Sequence, residues 1–426
     1  MSRSHLIVEL AFLAVLCASS AHAAVMSPDA SLTGAVRVGS LIEAQRLLRA
    51  GADPNERDGT GSTPLMAAVL KGDAALVSLL LANGSDPNLR QLESQSTALR
   101  YAVLLKRIDL ARLLITSGAN LNLQYGNNET LLHLAAAESD AAMLELLIAY
   151  HADTKAIDTD ANTALDEAVW KNQSQAVSVL LRHGADPRRV HAGSGRGPLH
   201  MACIKGEAQT AELLIRAGAD PVLPDASDQS PLDLALAYKN GTAVRTLFRL
   251  SREYQQLNAS FGQAMERAIR RNRTETARLI LDSGWSVHHK TQLGSTYLND
   301  AALRGQYGMA RFLLDHGAQL DAENQTGGTP LHDAAISGNT DLISLLLDRG
   351  AVIDARERES GATPLMLAAS LGRTSAVALL LRRGANAAIA DRSGRTALSR
   401  AREGQDTDLV RLLEGAQKTS ANSRRG

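Results

Sequence analysis

His332 stands directly before Asp333 in the stretch TPLHDAAISGN, residues 329 to 339. A histidine beside a carboxylate suits three roles equally well: a proton shuttle, a metal ligand or a hydrogen-bonded helix start. Related stretches elsewhere in the chain narrow the choice. His133 and His200 occupy the same place in ETLLHLAAAESD and GPLHMACIKGE. Other copies put Met66, Arg100, Asp166, Asp233, Asn299, Met366 or Ser399 there. Asp333 is replaced by Leu134, Met201 and Leu367, so no proton relay is maintained. A catalytic residue occurs once; a position that recurs and varies in kind is structural. His288-His289 has no Cys or carboxylate partner at ligand spacing. GSGRG at 193 to 197 reads as a plain loop, and no nucleophile elbow, Walker loop, His-Glu-x-x-His or dinucleotide fingerprint occurs. Cys203 replaces a small apolar residue of the sister stretches and reads as a buried thiol. The expectation is therefore a non-enzyme with no catalytic, cofactor or metal site.

The elements that carry these residues recur with a fixed period. The position of Thr329 recurs at 63, 97, 130, 163, 197, 230, 263, 296, 329, 363 and 396, every 33 or 34 residues. An earlier unit at 31 to 55 lacks the Thr-Pro start, which makes twelve units over about residues 30 to 417. Such periods mean stacked supersecondary units. Within one unit Thr329 suits a helix N-cap, and Pro330 suits the first helical position, where no N–H is needed. Leu331, Ala334 and Ala335 form an apolar stripe at helical spacing, and Gly338 ends the helix. A second helix in TDLISLLLDRGA stops at Gly350. That stop glycine recurs through most units and fails at His151 and Ser251. Turn-forming sequences such as Asp53-Pro54-Asn55 and Asp86-Pro87-Asn88 then project as a loop or hairpin.

Helix, turn, helix, a Gly-Ala-Asp end and a 33-residue period resemble the ankyrin repeat family across nearly all of the chain after the N-terminus. The resemblance implies an all-α ankyrin-repeat solenoid, helix-turn-helix plus a hairpin loop per unit. It also implies that the His at the fourth position of Thr-Pro-Leu-His steadies neighbouring hairpins. Family members bind other proteins on a concave side made of hairpin tips and first helices. By that geometry the groove positions follow the Ala-Ala column: Leu70, Lys71, Leu104, Leu105, Trp170, Lys171, Ile204, Lys205, Tyr238, Arg270, Arg271, Leu303, Arg304 and Ile336. Aromatic and aliphatic side chains beside Lys and Arg have the make-up of a recognition surface. The expected partner is a protein with an acidic or mixed apolar–acidic surface. The chain is expected to be a monomeric binding scaffold, and the alternative is an effector using the same groove on a host protein.

Composition sets further bounds. Forty-five basic and forty-five acidic residues cancel, which argues against nucleic acid as a partner. Aromatics are only 3% of the chain, so the core must be built from Ala, Leu, Val and Ile. Residues 1–23 read as a secretory signal, with Arg3, an apolar run from Leu10 to Ala18, and Ala21-His22-Ala23 as cleavage site. The run is short for a membrane span, so export to a periplasmic or extracellular place is expected, without stable membrane insertion. Residues 24–29 then read as a linker, 30–250 as a first stack, and 251–295 as a degenerate unit or seam. Residues 296–417 read as a second stack with polar end caps, and 418–426 as a disordered tail. The seam is rich in arginine, with Arg267, Arg270 and Arg271 on one helical face, an arrangement suited to an anion as well as to a solvated face.

Overall fold

Short apolar stripes bounded by capping residues fold here as pairs of antiparallel-type helical hairpins rather than long rods. A computed structural model describes residues 31–422 apart from 292, with side chains to 417. The segments expected to be signal peptide and linker lie outside the described residues. Among the described residues there are 24 helices, in twelve consecutive pairs, and no strands. The only bridges are isolated, Tyr125 with Glu129 and Lys290 with Thr296, so the projecting connections are turns more than paired hairpins.

One pair shows why the sequence folds this way. The first helix, Pro330–Ser337, starts at extended Thr329, places Pro at its first position and ends at Gly338 with φ 79°. The second, Thr340–Asp348, is capped by the Asn339 side chain accepting from the Leu342 amide. Leu331, Ala334 and Ala335 face inward with Leu342, Ile343 and Leu346, all fully buried. Alanine on the first helix lets neighbouring pairs approach closely, and leucine on the second fills the remaining space. Side-chain amides link successive turns: Asn88 donates to the Gly118 carbonyl and accepts from the Asn120 amide. Where the stop glycine is missing, His151 itself takes the left-handed conformation at φ 66°, a strained backbone for a side chain.

The chain divides into two compact units, residues 1–228 and 229–426. The second contains the irregular segment. There, Gly241–Ser251 is followed after three residues by the 16-residue helix Gln255–Arg270, which takes the place of a turn and a short first helix. Its core adds aromatic rings to aliphatic side chains such as Leu257, Met265 and Ile269. Phe261 stacks on Trp285 with ring centres 5.7 Å apart, Phe248 meets both edge-on, and the Trp285 indole N–H donates to the Tyr297 hydroxyl at 3.0 Å. The last helix spans Thr407–Asn422. No Gly or Pro interrupts residues 416 to 422, so nothing stops the helix there. No helix among the described residues is long and apolar enough to cross a membrane.

Candidate functional site

The N-terminal end of each first helix is committed to holding the stack. His332 accepts at Nδ1 from the Thr329 amide at 3.0 Å, and its Nε2 meets the Ala362 carbonyl of the following turn at 3.1 Å. His133 and His200 repeat the arrangement, with Nε2 at 3.0 Å from the Asn162 and Leu223 carbonyls. A neutral imidazole does both jobs, accepting at one nitrogen and donating at the other. Burial holds the His332 pKa below its ordinary value. Asp333 points elsewhere, accepting from the Asn299 side chain at 2.7 Å. Burial pushes its carboxyl up to about 7. His332–Asp333 is thus two separate structural contacts, not a relay.

Other chemistry-bearing residues are similarly spoken for. Cys203 is fully buried, which pushes its thiol up to about 12 and removes it as a nucleophile. The His289 ring packs on Trp285, centres 4.7 Å apart. Among the described residues no group of three His, Cys, Asp or Glu side chains is placed to hold a metal ion.

The C-terminal ends of the first helices differ from one another, and the fourteen sequence-selected positions all fall there or on the cap just after. Leu70, Leu104, Leu105, Ile204 and Ile336 are half-buried. Lys71, Lys171, Lys205, Arg270, Arg271 and Arg304 are exposed, as are the apolar Trp170 at 49%, Tyr238 at 55% and Leu303 at 46%. The residues one or two positions back, such as Ala168, Val169, Ala301 and Ala302, have no exposed surface. Lys71 also donates to the Arg37 carbonyl of the preceding pair at 3.3 Å. Arg267 is engaged by the Asp233 carboxylate, so of the three arginines on that helical face Arg270 and Arg271 stay open.

In the first unit these ends border a cleft of about 420 Å³, lined by Trp170, Lys171, Met201 and residues of the adjoining turns. Its walls carry five carboxylates, Glu129, Asp158, Asp160, Asp166 and Glu167, against Lys171, Arg196 and His191. Asp166 pairs with Arg189 at 3.2 Å and lies 3.6 Å from the His191 ring nitrogen. Burial raises the pKa of Glu167; Lys171 opposes the shift, while Glu129 and Asp158 add to it. The Lys205 ammonium lies 4.1 Å from the centre of the Trp170 ring, a cation–π contact. Sequence reading found the tryptophan and missed the carboxylates. Their signal was the acid density of AIDTDANTALDEAVW, whose turn residues meet the helix end only after folding.

Comparison with known proteins follows the same division. A family model described as ankyrin repeats in three copies matches residues 32–125, 107–191, 265–357 and 352–422. A model for a single ankyrin repeat matches residues 194–226. Residues 227–264, which include the start of the long irregular helix, fall outside these matches. Similar curated proteins include the nuclear factor NF-kappa-B p105 subunit of Gallus gallus, 31% identical over 182 residues, 41% of this chain and 18% of that protein. Ankyrin repeat and SOCS box protein 16 of Homo sapiens is 31% identical over 203 residues, 45% of this chain and 44% of that protein. B-cell lymphoma 3 protein of Homo sapiens is 34% identical over 154 residues, 33% of each. The chain therefore spans less than half the length of each of these relatives.

Proposed function

The chain belongs to the ankyrin repeat family, and from that premise we propose that it is a non-enzymatic scaffold holding a partner protein along the C-terminal ends of its first helices. The observation that carries this reading is the exposure of Trp170, Tyr238 and Leu303 one or two residues after buried helix residues such as Val169, Leu236 and Ala302. Large apolar side chains kept in water without a packing role mark recognition surfaces. The twelve helix pairs are read as twelve repeats. In the second unit Arg270, Arg271 and Arg304 accompany Tyr238 and Leu303, which suits a partner with an acidic or mixed apolar–acidic surface. The protein acts as a monomer, without nucleic acid. It works after export, with residues 1–23 removed; the basic start, short apolar run and Ala-His-Ala site support this.

Site-specific photo-crosslinking tests the binding face. A benzophenone side chain at Tyr238 is expected to capture a partner, and the same group at Arg311, exposed on a second helix of the same unit, is not. Equal capture from both positions, or capture only from Arg311, would remove the reading. A mature protein whose first residue is Met1 would remove export.

A further inference from the structure

We infer that the helix ends from Tyr238 to Leu303 bind an extended acidic segment of the partner protein, with an apolar residue on either side of its carboxylates. The inference rests on the reading of the first-helix ends as a binding face and names what that face takes in the second unit. Three consecutive ends make the site. Tyr238 caps the helix Pro231–Ala237, Arg270 and Arg271 end Gln255–Arg270, and Leu303 and Arg304 end Tyr297–Leu303. The middle helix packs on both of the others, and its Arg267 reaches the Asp233 carboxylate of the first. At roughly 10 Å per packed helix, Tyr238 and Leu303 stand about 20 Å apart with the arginines between them.

The charge at these ends exceeds what the chain itself can match. Residues 237–240, 270–273 and 303–306 hold Lys239, Arg270, Arg271, Arg273 and Arg304, all exposed, and no Asp or Glu. About a turn back lie Asp233, Glu266 and Asp300. Asp233 has Arg267, and Glu275 beyond the turn has Arg278. With Glu266 and Asp300 each matched to one of the five exposed cations, three positive charges are left over. Burial raises the pKa of half-buried Asp300, and Arg304 and Arg270 oppose that shift from two different helices while Glu266 adds to it. The cations of neighbouring ends therefore converge. Guanidinium groups in such a row pair with carboxylates through two N–H donors at once. The apolar brackets are open as well. Among the described residues no ring or cation of the chain lies against Tyr238, whereas Trp170 already carries Lys205. Leu303 offers a nucleotide base no ring to stack on, which favours a peptide over a single-stranded nucleic acid. Each end exposes only a few consecutive residues, a row suited to one extended chain, and about 20 Å is spanned by about six extended residues.

The test uses the full chain and the fluorescein-labelled peptide Gly-Leu-Gly-Glu-Glu-Glu-Gly-Leu-Gly, whose leucines are six positions apart. One control replaces every Glu with Gln, and the other moves both leucines to one end. Fluorescence polarisation is expected to show the Glu peptide binding about tenfold more tightly than the Gln peptide and about threefold more tightly than the rearranged one. Arg270→Ala combined with Arg271→Ala is expected to weaken it about tenfold, and Arg304→Ala and Leu303→Ala about threefold each. Arg304→Ala changes one exposed side chain, so it reports even if the double variant loses its fold by circular dichroism. Trp170→Ala, in the other unit, leaves the affinity unchanged. Equal affinity for the Glu peptide and either control, or undiminished affinity in the folded arginine variants, would overturn the inference. An equal loss in Trp170→Ala, or tighter binding of a labelled ten-nucleotide oligothymidylate than of the Glu peptide, would overturn it too. Retained Tyr238 cross-linking in any of those events leaves the broader reading standing; lost Tyr238 cross-linking with intact peptide binding defeats the broader reading alone.

Discussion

The Trp170 end in the first unit and the Tyr238 and Leu303 ends in the second hold the same place in their repeats and differ in the charges around them. Around Trp170 the turns contribute Glu129, Asp158 and Asp160 and the helix Glu167, beside Lys171, Arg196 and Lys205. In the other unit the helix ends themselves contribute Arg270, Arg271 and Arg304, exposed beside Tyr238 and Leu303. Trp170 follows the buried cap of Thr163 with Asp166, and Leu303 follows that of Thr296 with Asn299, whereas Arg270 and Arg271 end the 16-residue helix Gln255–Arg270. The frame is therefore shared and the reading surface is not. Each first helix is split along its length, with its start satisfying the stack and its end left to vary.

That division can be broken at the start of the helix, where the largest effect is expected. His332→Ala removes the contacts to the Thr329 amide and hydroxyl and to the Ala362 carbonyl, which is left with the Glu357 amide alone. A stability loss of about 2–4 kcal/mol is expected by denaturant unfolding. A loss under about 0.5 kcal/mol would show that the recurring histidine does not hold the frame.

Asp333 sharpens the same point through pH. Its folded-state pKa lies near 7, above the ordinary 3.8, so the unfolded chain ionises first as pH rises. Stability therefore falls between about pH 4 and pH 7 and is level above that. Asp333→Asn keeps an acceptor for Asn299 and removes the charge. The variant is expected to be more stable than the parent by about 1–3 kcal/mol at pH 8 and equal to it near pH 4. Thermal melts across that range decide it; an advantage that does not grow with pH contradicts the assignment.

At the other end of the helix the expectation reverses. Trp170→Ala is expected to weaken partner binding about tenfold, with the melting temperature shifted by no more than about 2 °C. A large drop in melting temperature with unchanged binding would place Trp170 in the frame instead.

The smallest effect concerns the turn after the helix. Gln173, Asn339 and Arg373 donate to the carbonyls of Ala137, Gly305 and Ile336 in the preceding pair. Glu207 holds the same repeat position, buried, with one carboxylate oxygen unpartnered and its pKa pushed up to about 7 by burial. Glu207→Gln supplies the donor that its sister positions have. A gain of about 1 kcal/mol is expected at pH 8, shrinking toward pH 5 as Glu207 takes up its own proton.

The frame was legible in the sequence because it repeats. Thr329, Pro330, His332 and Gly338 each have counterparts one period away, so a backbone requirement could be separated from a local accident. The positions of Trp170 and Tyr238 were legible by the same register. Their surroundings were not. Asp158 and Glu129 reach the Trp170 cleft from different turns, and no single-unit pattern records that meeting. The break at 251–295 was legible but its long helix was not: Gln255–Arg270 has no counterpart, and Phe261 meets Trp285 across 24 residues.

The central claim, that partners are read at the variable helix ends, is tested most directly on the partner captured at Tyr238. Its affinity should be measured by titration calorimetry for the parent chain and for Tyr238→Ala combined with Arg271→Glu. The account predicts a loss of about 100-fold or more, with a melting temperature within about 2 °C of the parent. Unchanged affinity in the folded double variant would contradict it.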